Sequence, residues 1–455
     1  MENKINRRSF LKNSALVGGA LGTVGVGGNA FLSSCSDSNP KLVPLKAPGT
    51  YYIPELPEKA TDGKVLKVGL IGCGGRSNGA IINLLDAANG ITVTALGDTF
   101  KDRVDEVVNT LQKRNISVPE DKRFYGLDAY QKVTDSDVDI LIIATPPFFR
   151  PLHFKYAIEK GKHVFLEKPL FVDAAGYRSI VATAKQAAAK NLTVLTGNQR
   201  QHQRCYVEAY QKVMEGYIGE ITGGNVYWNQ NQIWYKERRK DWSDGEWMIR
   251  DWVNWKWLSG DHIVEQHCHN IDVFMWFSGL KPVSALGMGS RQRRVTGDQY
   301  DFFNVDFVME NGIHLHSMCR QINGCDNPNF EFIQGTKGSC LTKGDSCIIK
   351  DLAGNEIWKY DFEKEKASFK QNDPYTLEHV NWINCIRGNK PMEMASDFAI
   401  ANMAAVMGRD SAYTGRFVNW DSATSRDQDF TPADLSLTGK MDMSGFVVPV
   451  PGRSR

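Results

Sequence analysis

Five short apolar runs alternate with polar, helix-like segments between residues 63 and 197. The runs are rich in branched aliphatic side chains and read VLKVGLI, ITVTALGD, VDILIIAT, KHVFLEKP and LTVLTG. The intervening segments predict helices after the glycines at 72–75, over 102–113, near 151–160 and over 173–190. Strands that are apolar throughout are typical of a parallel sheet buried on both faces. The pattern therefore predicts an α/β domain.

The pattern changes from about Asn198 onward. A helix near 203–215 precedes ITGGNVYWNQNQIWY, in which apolar and polar residues alternate, and another helix is expected near 261–277. Short strands follow, among them NVDFVMENGIHLHSMCRQ, which predicts a hairpin that turns at Asn-Gly, and helices near 374–387 and 395–413 close the domain. We expect an α+β domain over 198–420, built on a mainly antiparallel sheet, and an irregular tail over 421–455.

The N-terminus has the pattern of an export signal and is left out of the fold prediction. Arg7 and Arg8 precede Phe-Leu-Lys, as in a twin-arginine signal, and a glycine-rich run ends in FLSSCS, which resembles a lipoprotein cleavage box around Cys35. We expect a signal over 1–35, an extended proline-rich arm over 36–62, and a periplasmic protein tethered to a membrane through lipidated Cys35. A flexible tail with a chance arginine pair is the alternative.

Composition and charge limit the kinds of molecule and metal that this protein is expected to bind. The 455 residues are 42% hydrophobic and 23% charged, with a net charge of +2, so no nucleic acid is expected to bind. The cysteines form no CxxC pair, which argues against a zinc cluster. The spacings of Cys319 and Cys325, and of Cys340 and Cys347, would allow disulfides in an oxidising compartment, and buried free thiols are the alternative.

The first strand ends in a glycine-rich turn that opens a helix. Gly72 permits the tight turn, Gly74 and Gly75 let the backbone approach a pyrophosphate, and the start of the helix presents free N–H groups to it. Arg76 and Ser77 follow them as further expected cofactor contacts, and Ser77 is small enough for close helix packing. Asp98 ends the second strand, where a carboxylate accepts hydrogen bonds from the adenosine ribose and repels a 2′-phosphate. The pattern predicts a Rossmann domain over 63–197 that binds NAD rather than NADP; the alternative is a loop that only shapes a turn.

Several longer strings resemble one family. GCGGRSNGA, LIIATPPFF, GKHVFLEKPL, SGDHIVEQHCHNIDVFMW and AYTGRFV together resemble the Gfo/Idh/MocA family, which includes glucose–fructose oxidoreductase and inositol dehydrogenase. The resemblance covers about residues 64–420. It implies a Rossmann domain followed by an open-faced β-sheet domain, an NAD(P)-dependent oxidoreductase acting on a CH–OH group of a carbohydrate, and a homodimer or homotetramer.

The resemblance also implies residue roles. Lys168 matches the family lysine that lies beside the reacting sugar hydroxyl, and Glu167 matches the residue near the nicotinamide ribose. In the string EQHCHNID, His269 matches the catalytic histidine, and Glu265 stands where the family has an aspartate.

Two departures affect the expected substrate pose. Relatives often read Thr-Pro-Asn-x-x-His after the fourth strand, whereas this chain reads TPPFFR. Thr145 and Pro146 are kept as expected cofactor contacts, but the asparagine and histidine are missing and Arg150 adds a charge. His267 replaces a glycine of the later motif. We expect Arg150 and His267 to lie at the substrate.

The chemistry of a sugar hydroxyl requires a base and a cation. Hydride cannot leave the carbon unless the hydroxyl proton also departs, and a neutral His269 suits that task. Lys168 would stabilise the developing alkoxide, and burial is expected to lower its pKa enough for proton relay. A metal site is the rival interpretation of the histidine cluster. His267 and His269 lie about 200° apart around a regular helix, so we expect no metal.

Seven of the eleven tryptophans lie between residues 228 and 257, among polar and basic residues. Most of these rings are expected in the core, but aromatic faces among hydrogen-bonding side chains suit carbohydrate. We predict that Trp228 or Trp255 flanks the sugar and that Arg200 contacts it, with Arg320 and Gln321 as weaker candidates.

Export sets a condition on the cofactor. The twin-arginine route moves folded proteins, so NAD would be carried out tightly bound and regenerated within the site. We expect an oxidoreductase that converts a sugar or glycoside hydroxyl to a ketone and then reduces a second sugar or ketone. The first alternative is an NAD-dependent glycosidase that oxidises C3 transiently and eliminates the glycosidic bond. The second is a non-catalytic sugar-binding lipoprotein.

Overall fold

The structure is a computed structural model that describes residues 42–430, 432 and 434–452. The predicted signal with Arg7, Arg8 and Cys35, and the first residues of the arm, lie outside the described residues. Among the helices that are described, none combines the length and the apolar character needed to cross a membrane.

The first sheet has six strands, and all of its pairs are parallel. The strand order is β3-β2-β1-β4-β5-β6, so the order reverses between β1 and β4, where nucleotide sites form in sheets of this kind. Every side chain of β4 is buried, as predicted for a strand covered on both faces. The strands are β1 (Leu66–Ile71), β2 (Ile91–Asp98), β3 (Arg123–Tyr125), β4 (Ile140–Ile143), β5 (His163–Leu166) and β6 (Val194–Thr196).

Four of the five helices of this domain follow the predicted positions to within one residue at the ends that the sequence specified, whereas the short helix Ala129–Thr134 and the short strand β3 were not predicted. The helices connect successive strands, as parallel pairing requires. They are α1 (Gly75–Ala87), α2 (Lys101–Gln112), α3 (Ala129–Thr134), α4 (Arg150–Glu159) and α5 (Ala174–Ala189).

The second sheet has nine strands in the order β14-β13-β12-β11-β7-β10-β9-β8-β15. All pairs are antiparallel except β7 with β10, which confirms the mainly antiparallel prediction. The predicted hairpin joins β9 to β10 across Asn311 and Gly312. The strands are β7 (Ile221–Gln230), β8 (Pro282–Ser290), β9 (Phe302–Met309), β10 (His314–Gln321), β11 (Asn329–Gly335), β12 (Gly338–Lys343), β13 (Ser346–Asp351), β14 (Glu356–Lys359) and β15 (Val418–Asn419).

Nine helices of the described residues follow β6. The apolar sides of α10 and α13 pack on the second sheet and form one continuous core with its buried residues. The helices are α6 (Arg204–Met214), α7 (Asp244–Arg250), α8 (Lys256–Ser259), α9 (His262–Glu265), α10 (Cys268–Ser278), α11 (Phe362–Ser368), α12 (Pro374–Arg387), α13 (Ala395–Thr414) and α14 (Trp420–Ser425).

The single helix predicted near 261–277 is wrong in one respect, because it is broken into α9 and α10. In a continuous helix the His269 N–H would bond to the Glu265 carbonyl. Here it bonds to the Gln266 carbonyl at 3.4 Å, and the Glu265 carbonyl accepts a hydrogen bond from the Lys168 side chain instead. The break therefore frees a backbone acceptor at the domain junction.

Two segments that lie outside residues 63–197 pack against the first domain: α12 and the N-terminal arm. α12 packs against α1, and its Val380, Trp382 and Ile383 belong to the same apolar core as β1 and β2. The arm has no helix or strand over 42–64, as predicted, but it is docked rather than free. The Tyr52 hydroxyl donates to Asn381 Oδ1 at 2.8 Å, for example.

Arg409, in the middle of α13, connects the first domain to the second. Its side chain is fully buried, pairs with Asp410 at 2.8 Å, and donates to the carbonyls of Val172 at 2.6 Å and Gly260 at 3.2 Å. A buried charge of this kind is stable only while all its partners are in place.

We predict that Arg409→Met lowers the free energy of unfolding by about 3 kcal/mol, because it leaves two buried carbonyls and part of a carboxylate without donors. Urea unfolding followed by tryptophan fluorescence measures the change. Arg416→Met, an exposed substitution just beyond the same helix, is the control and should change stability by no more than about 0.5 kcal/mol. Equal stability of the two variants would contradict the prediction.

Candidate active site

The turn after β1 has the geometry that a dinucleotide requires. Gly72 adopts a φ of +86°, and a Cβ there would lie 2.8 Å from the backbone nitrogen of Thr145, so glycine is needed for both reasons. At Gly74 and Gly75, by contrast, an added Cβ would meet no atom within 4 Å. The backbone of these two residues therefore faces open space.

The start of α1 is suited to an anion. Gly74 is the N-cap and supplies no side-chain hydrogen bond, and the first turn contains no acidic residue. The first N–H groups of the helix are thus left for a ligand, as in phosphate sites at helix N-termini. Ser77 is buried, as expected for close packing, but its hydroxyl has no hydrogen-bond partner. The cradle fits the pyrophosphate of NAD.

Asp98 lies at the end of β2, beside this cradle, as predicted. Its two carboxylate oxygens accept hydrogen bonds from the backbone N–H groups of Cys73 at 2.6 Å and Phe100 at 2.9 Å. Burial raises the pKa of Asp98, while these hydrogen bonds oppose the rise. The carboxylate is held in the position from which a ribose diol is recognised.

Lys168 joins the two domains. It follows β5, and its Nζ donates to Glu265 twice, at 3.1 Å to Oε1 and at 2.7 Å to the backbone carbonyl. Burial alone lowers the pKa of Lys168, but Glu265, Cys268 and Glu167 outweigh burial and the net pKa is raised. The predicted lowering of this pKa is therefore wrong, and Lys168 remains a cation. An ammonium has three N–H donors, so two bonds to Glu265 leave one for a ligand.

His269 lies in the first turn of α10 and stacks on Trp228, with 5.6 Å between the ring centroids. Burial, followed by the charges of Lys168, Arg200 and Arg76, lowers the pKa of His269 well below 6.5. Its Nδ1 is buried and has no hydrogen-bond partner. The imidazole is therefore neutral, and a neutral imidazole has one nitrogen that can accept a proton.

Arg200, just after the boundary between the two domains, extends to the same ring. Its guanidinium lies 5.2 Å from the centroid of Trp228 and forms an ion pair with Glu331 of β11. Glu331 also accepts from Asn270 at 2.7 Å and from the Tyr206 hydroxyl at 3.0 Å. These bonds fix Arg200, Trp228 and His269 as one rigid unit.

Arg76 lies in the first turn of α1, at the cradle, as expected for a cofactor contact. Its side chain pairs with Glu167 and, at 3.0 Å, with Glu378 of α12. It also lies 4.7 Å from the ring centroid of Tyr375. Arg76 thus holds Glu167, the residue expected near the nicotinamide ribose, in a fixed position.

Comparison with known proteins agrees with this geometry. Residues 66–195 match the family model described as an oxidoreductase family with an NAD-binding Rossmann fold, and residues 206–341 match the Gfo/Idh/MocA C-terminal domain. The chain belongs to the Gfo/Idh/MocA family.

Individual relatives of this Gfo/Idh/MocA protein are distant. A glycosyl hydrolase family 109 protein of Shewanella pealeana is 24% identical over 399 residues, covering 82% of each chain. An alpha-N-acetylgalactosaminidase of Shewanella oneidensis is 27% identical over 233 residues, which cover 51% of this chain and 48% of the relative. Scyllo-inositol dehydrogenase of Lactobacillus casei, solved with NAD(H) and scyllo-inositol, shares the fold with a TM-score of 0.58 at 19% identity, over 78% of this chain and 99% of that one.

Thr145 and Pro146 lie at the end of β4, next to Gly72, as expected for cofactor contacts. Arg150 does not line the substrate space. It is buried and donates to the backbone carbonyls of Thr145, at 2.7 Å, and Pro169. The Arg150 guanidinium, which was expected at the substrate, thus stabilises the loop that carries Lys168. Burial lowers the pKa of Arg150 to about 10.

His267 and Trp255 are also structural in this Gfo/Idh/MocA chain. His267 is fully buried under the helix break, with its Nε2 2.7 Å from Ser317 Oγ of β10, and burial lowers its pKa to about 3. Trp255 is 4% exposed and packs edge-on against Trp247, 5.0 Å between centroids, so it does not flank a sugar.

The two weaker substrate candidates, Gln321 and Arg320, also form hydrogen bonds to other parts of the chain. Gln321 is buried and accepts a hydrogen bond from Arg294 at 2.5 Å, while Arg320 donates to the carbonyl of Asp326. All eight cysteines of the described residues are free thiols in this structure, which is the second of the two alternatives left open by their spacing. Over 42–452, leaving aside the two residues not described in that range, no group of three or more His, Cys, Asp or Glu side chains could hold a metal ion.

Sequence reasoning missed Tyr375 and Glu378 of α12 and Glu331 of β11. Glu378 is fully buried, and its partner Arg76 lies 302 residues earlier in the chain. The one available signal was a charged residue inside an apolar helix pattern, which does not by itself specify a partner.

We predict that Gly74→Ala leaves the stability of the apoprotein unchanged, because the added methyl group meets open space, but weakens NAD binding by at least about tenfold, because that space is where a pyrophosphate approaches. Fluorescence titration with NAD measures the affinity. Gly445→Ala, also in open space but outside the cradle, is the matched control. Unchanged NAD affinity in Gly74→Ala would exclude this cradle as the pyrophosphate site.

The lowered pKa of His269 predicts how far the pH can fall before activity is lost. A base works when unprotonated, so turnover is kept as the pH falls through 6.5 and is lost only below the lowered pKa. The measurement is the pH dependence of kcat/KM, with activity restored at pH 7 as the control for unfolding. An acid limb at or above pH 6.5 would contradict this assignment.

Proposed function

We propose that this protein oxidises a secondary hydroxyl of a neutral sugar or glycoside to a ketone and keeps its NAD bound while the cofactor is recycled. One observation carries the proposal: the Lys168 ammonium, fixed by Glu265, shares a cluster with a neutral His269 at the junction with an NAD-type glycine cradle. This combination supplies a cation, a base and a hydride acceptor, which are the three requirements of alcohol oxidation.

Lys168 acts on the hydroxyl oxygen. Its remaining N–H donates to that oxygen and stabilises the negative charge that grows as the proton leaves. Its raised pKa keeps it charged at neutral pH, so it does not take up the hydroxyl proton itself. Glu265 positions the ammonium and compensates its charge.

His269 accepts the hydroxyl proton. NAD held in the glycine cradle would supply the acceptor for the hydride, with its two electrons, that leaves the substrate carbon, and would supply the hydride needed to reduce the ketone or a second carbonyl compound. The imidazolium formed on His269 then gives its proton back to the new alkoxide. Atoms and charge therefore balance over one closed cycle, and no free NAD is consumed.

The charge balance of the cluster favours a neutral substrate. Lys168, Arg200 and Arg76 are each already paired, with Glu265, with Glu331, and with Glu167 and Glu378. No unpaired cation of this set is left for a carboxylate or phosphate. The Trp228 face supplies an apolar surface of the kind on which sugar C–H groups stack.

The cellular setting is part of the proposal. The Arg7–Arg8 pattern and Cys35 support export of the folded protein and a lipid tether, and retention of NAD would allow activity outside the cytoplasm. We also propose a homodimer or homotetramer, on the family resemblance of the second sheet.

A second candidate is an NAD-dependent glycosidase. The relatives named glycosyl hydrolase family 109 protein and alpha-N-acetylgalactosaminidase favour it. A transient ketone acidifies the neighbouring C–H, so a leaving group can be eliminated, water added and the ketone reduced again. The Lys168 and His269 pair serves the first and last of these steps in the same way.

The test is turnover by purified protein without added cofactor. Neutral sugars and nitrophenyl glycosides, including the α-N-acetylgalactosaminide, are each supplied with and without a carbonyl acceptor. Keto-sugar formed only with an acceptor supports the oxidoreductase, and nitrophenol released without one supports the glycosidase. Lys168→Met is expected to lower either rate by about 10²- to 10³-fold, whereas the exposed Lys155→Met leaves it unchanged.

Two results would contradict the proposal. One is turnover that Lys168→Met leaves unchanged. The other is the absence of all turnover together with intact sugar binding, which would indicate the non-catalytic binding protein.

A further inference from the structure

The tryptophan-rich stretch over residues 231–258, here called the tryptophan segment, extends from the second domain to the first. It lies between β7 and α9 and includes α7 and α8. Arg250, the last residue of α7, forms a two-pronged bridge to Asp102 of α2, with Nη1–Oδ2 and Nη2–Oδ1 distances of 2.9 and 3.0 Å. The same guanidinium lies 3.9 Å from the centroid of the Phe100 ring.

A second contact forms a few residues later. Trp257 packs edge-on against Phe148, with 5.0 Å between centroids, and lies 6.4 Å from Phe149. Phe148 and Phe149 follow β4, while Phe100 and Asp102 follow β2. The segment therefore contacts the carboxyl-end loops of two strands on either side of β1.

These loops define one end of the cofactor site. Asp98, which ends β2, lies two residues before Phe100. Its carboxylate accepts a hydrogen bond from the Phe100 N–H at 2.9 Å. In this sheet topology the carboxylate at the end of β2 marks the ribose of the adenosine half. Phe100 and Asp102 thus lie just beyond the residue that marks the adenosine end, and the tryptophan segment contacts both of them as well as Phe148 after β4.

The segment is itself held from behind by the C-terminal tail. Ser243 Oγ donates to the Leu437 carbonyl at 2.8 Å, and Asp244 accepts the Met441 N–H at 3.0 Å. Trp255, buried in this layer, packs against Phe446 at 5.9 Å between centroids. The segment is therefore a supported layer with a core of its own and not a loose loop.

The Arg250–Asp102 bridge is a polar contact that attaches this layer to the first domain. The Arg250 side chain is 13% exposed, and its Nε is fixed by Glu246 at 2.8 Å, so the guanidinium plane is oriented before it meets Asp102. Two parallel N–H donors on one carboxylate give a directional contact that a lysine would not reproduce.

We propose that the tryptophan segment is a clasp over the adenosine end of the cofactor site, and that the Arg250–Asp102 bridge controls how fast NAD leaves. The inference rests on the proposed function for the identity of the cofactor. It adds that retention depends on a part of the second domain that does not touch the reacting atoms. Arg250 is a positioning residue in this account.

The test is the rate at which NAD dissociates from purified full-length protein, measured by dilution into excess unlabelled NAD after loading with radiolabelled NAD. Arg250→Met and Asp102→Asn are each expected to release the label at least about tenfold faster than the wild type. The double variant should release it no faster than either single one, because all three lack the same bridge.

Arg238→Met is the matched control. Arg238 pairs with Asp244 inside the segment, 2.7 Å apart, so its loss weakens the segment without cutting the bridge to α2, and release should stay within about twofold of the wild type. Asp102 is 54% exposed, so Asp102→Asn is expected to fold even if Arg250→Met does not.

The outcomes separate the two proposals. If the wild type retains NAD and the bridge variants retain it equally long, the clasp is wrong and the proposed function stands. If Arg238→Met releases NAD as fast as Arg250→Met, general loosening of the segment explains retention and the bridge does not. If the wild type binds no NAD at all, the proposed function fails and the clasp fails with it.

Discussion

The contact between Lys168 and Glu265 is the interaction on which the rest of the site depends. It joins the loop after β5 to the end of α9, so it fixes the first domain against the second at the candidate site. The break between α9 and α10 is what frees the Glu265 carbonyl for this bond, and the same break starts α10 with His269 in its first turn. Cation and base are thus placed by one local departure from regular helix.

Charge pairing explains why the cluster is both stable and chemically useful. Burying a cation without a partner is costly, and each of the three cations near His269 has a carboxylate. The pairing keeps Lys168 and Arg200 charged, and burial together with these charges lowers the pKa of His269 and keeps the ring neutral. A base with no competing proton beside a permanent cation is therefore a property of the folded cluster and not of either residue alone.

The sequence predicted the parts of this arrangement that local patterns encode. Continuous apolar strands predicted the parallel sheet, the glycine turn and Asp98 predicted the cofactor end, and EKP with EQHCHNID pointed to Lys168, Glu265 and His269, which the fold brings into one cluster. It could not predict partners supplied by distant elements, such as Glu378 beside Arg76. It also assigned Arg150, His267 and Trp255 to the substrate, because a polar or aromatic residue in a functional motif looks the same whether it faces the ligand or braces the backbone.

The central claim is that one molecule of NAD stays in place and returns the hydride that it receives. The most direct test uses a substrate deuterated at the carbon to be oxidised, with purified protein and a large excess of unlabelled NADH in solution, and follows the label by mass spectrometry. The account predicts that deuterium reappears on carbon in the final reduced or hydrolysed sugar product. Products free of deuterium, with the label in the dissolved NADH pool, would show that the cofactor leaves between the two hydride transfers and would contradict the account.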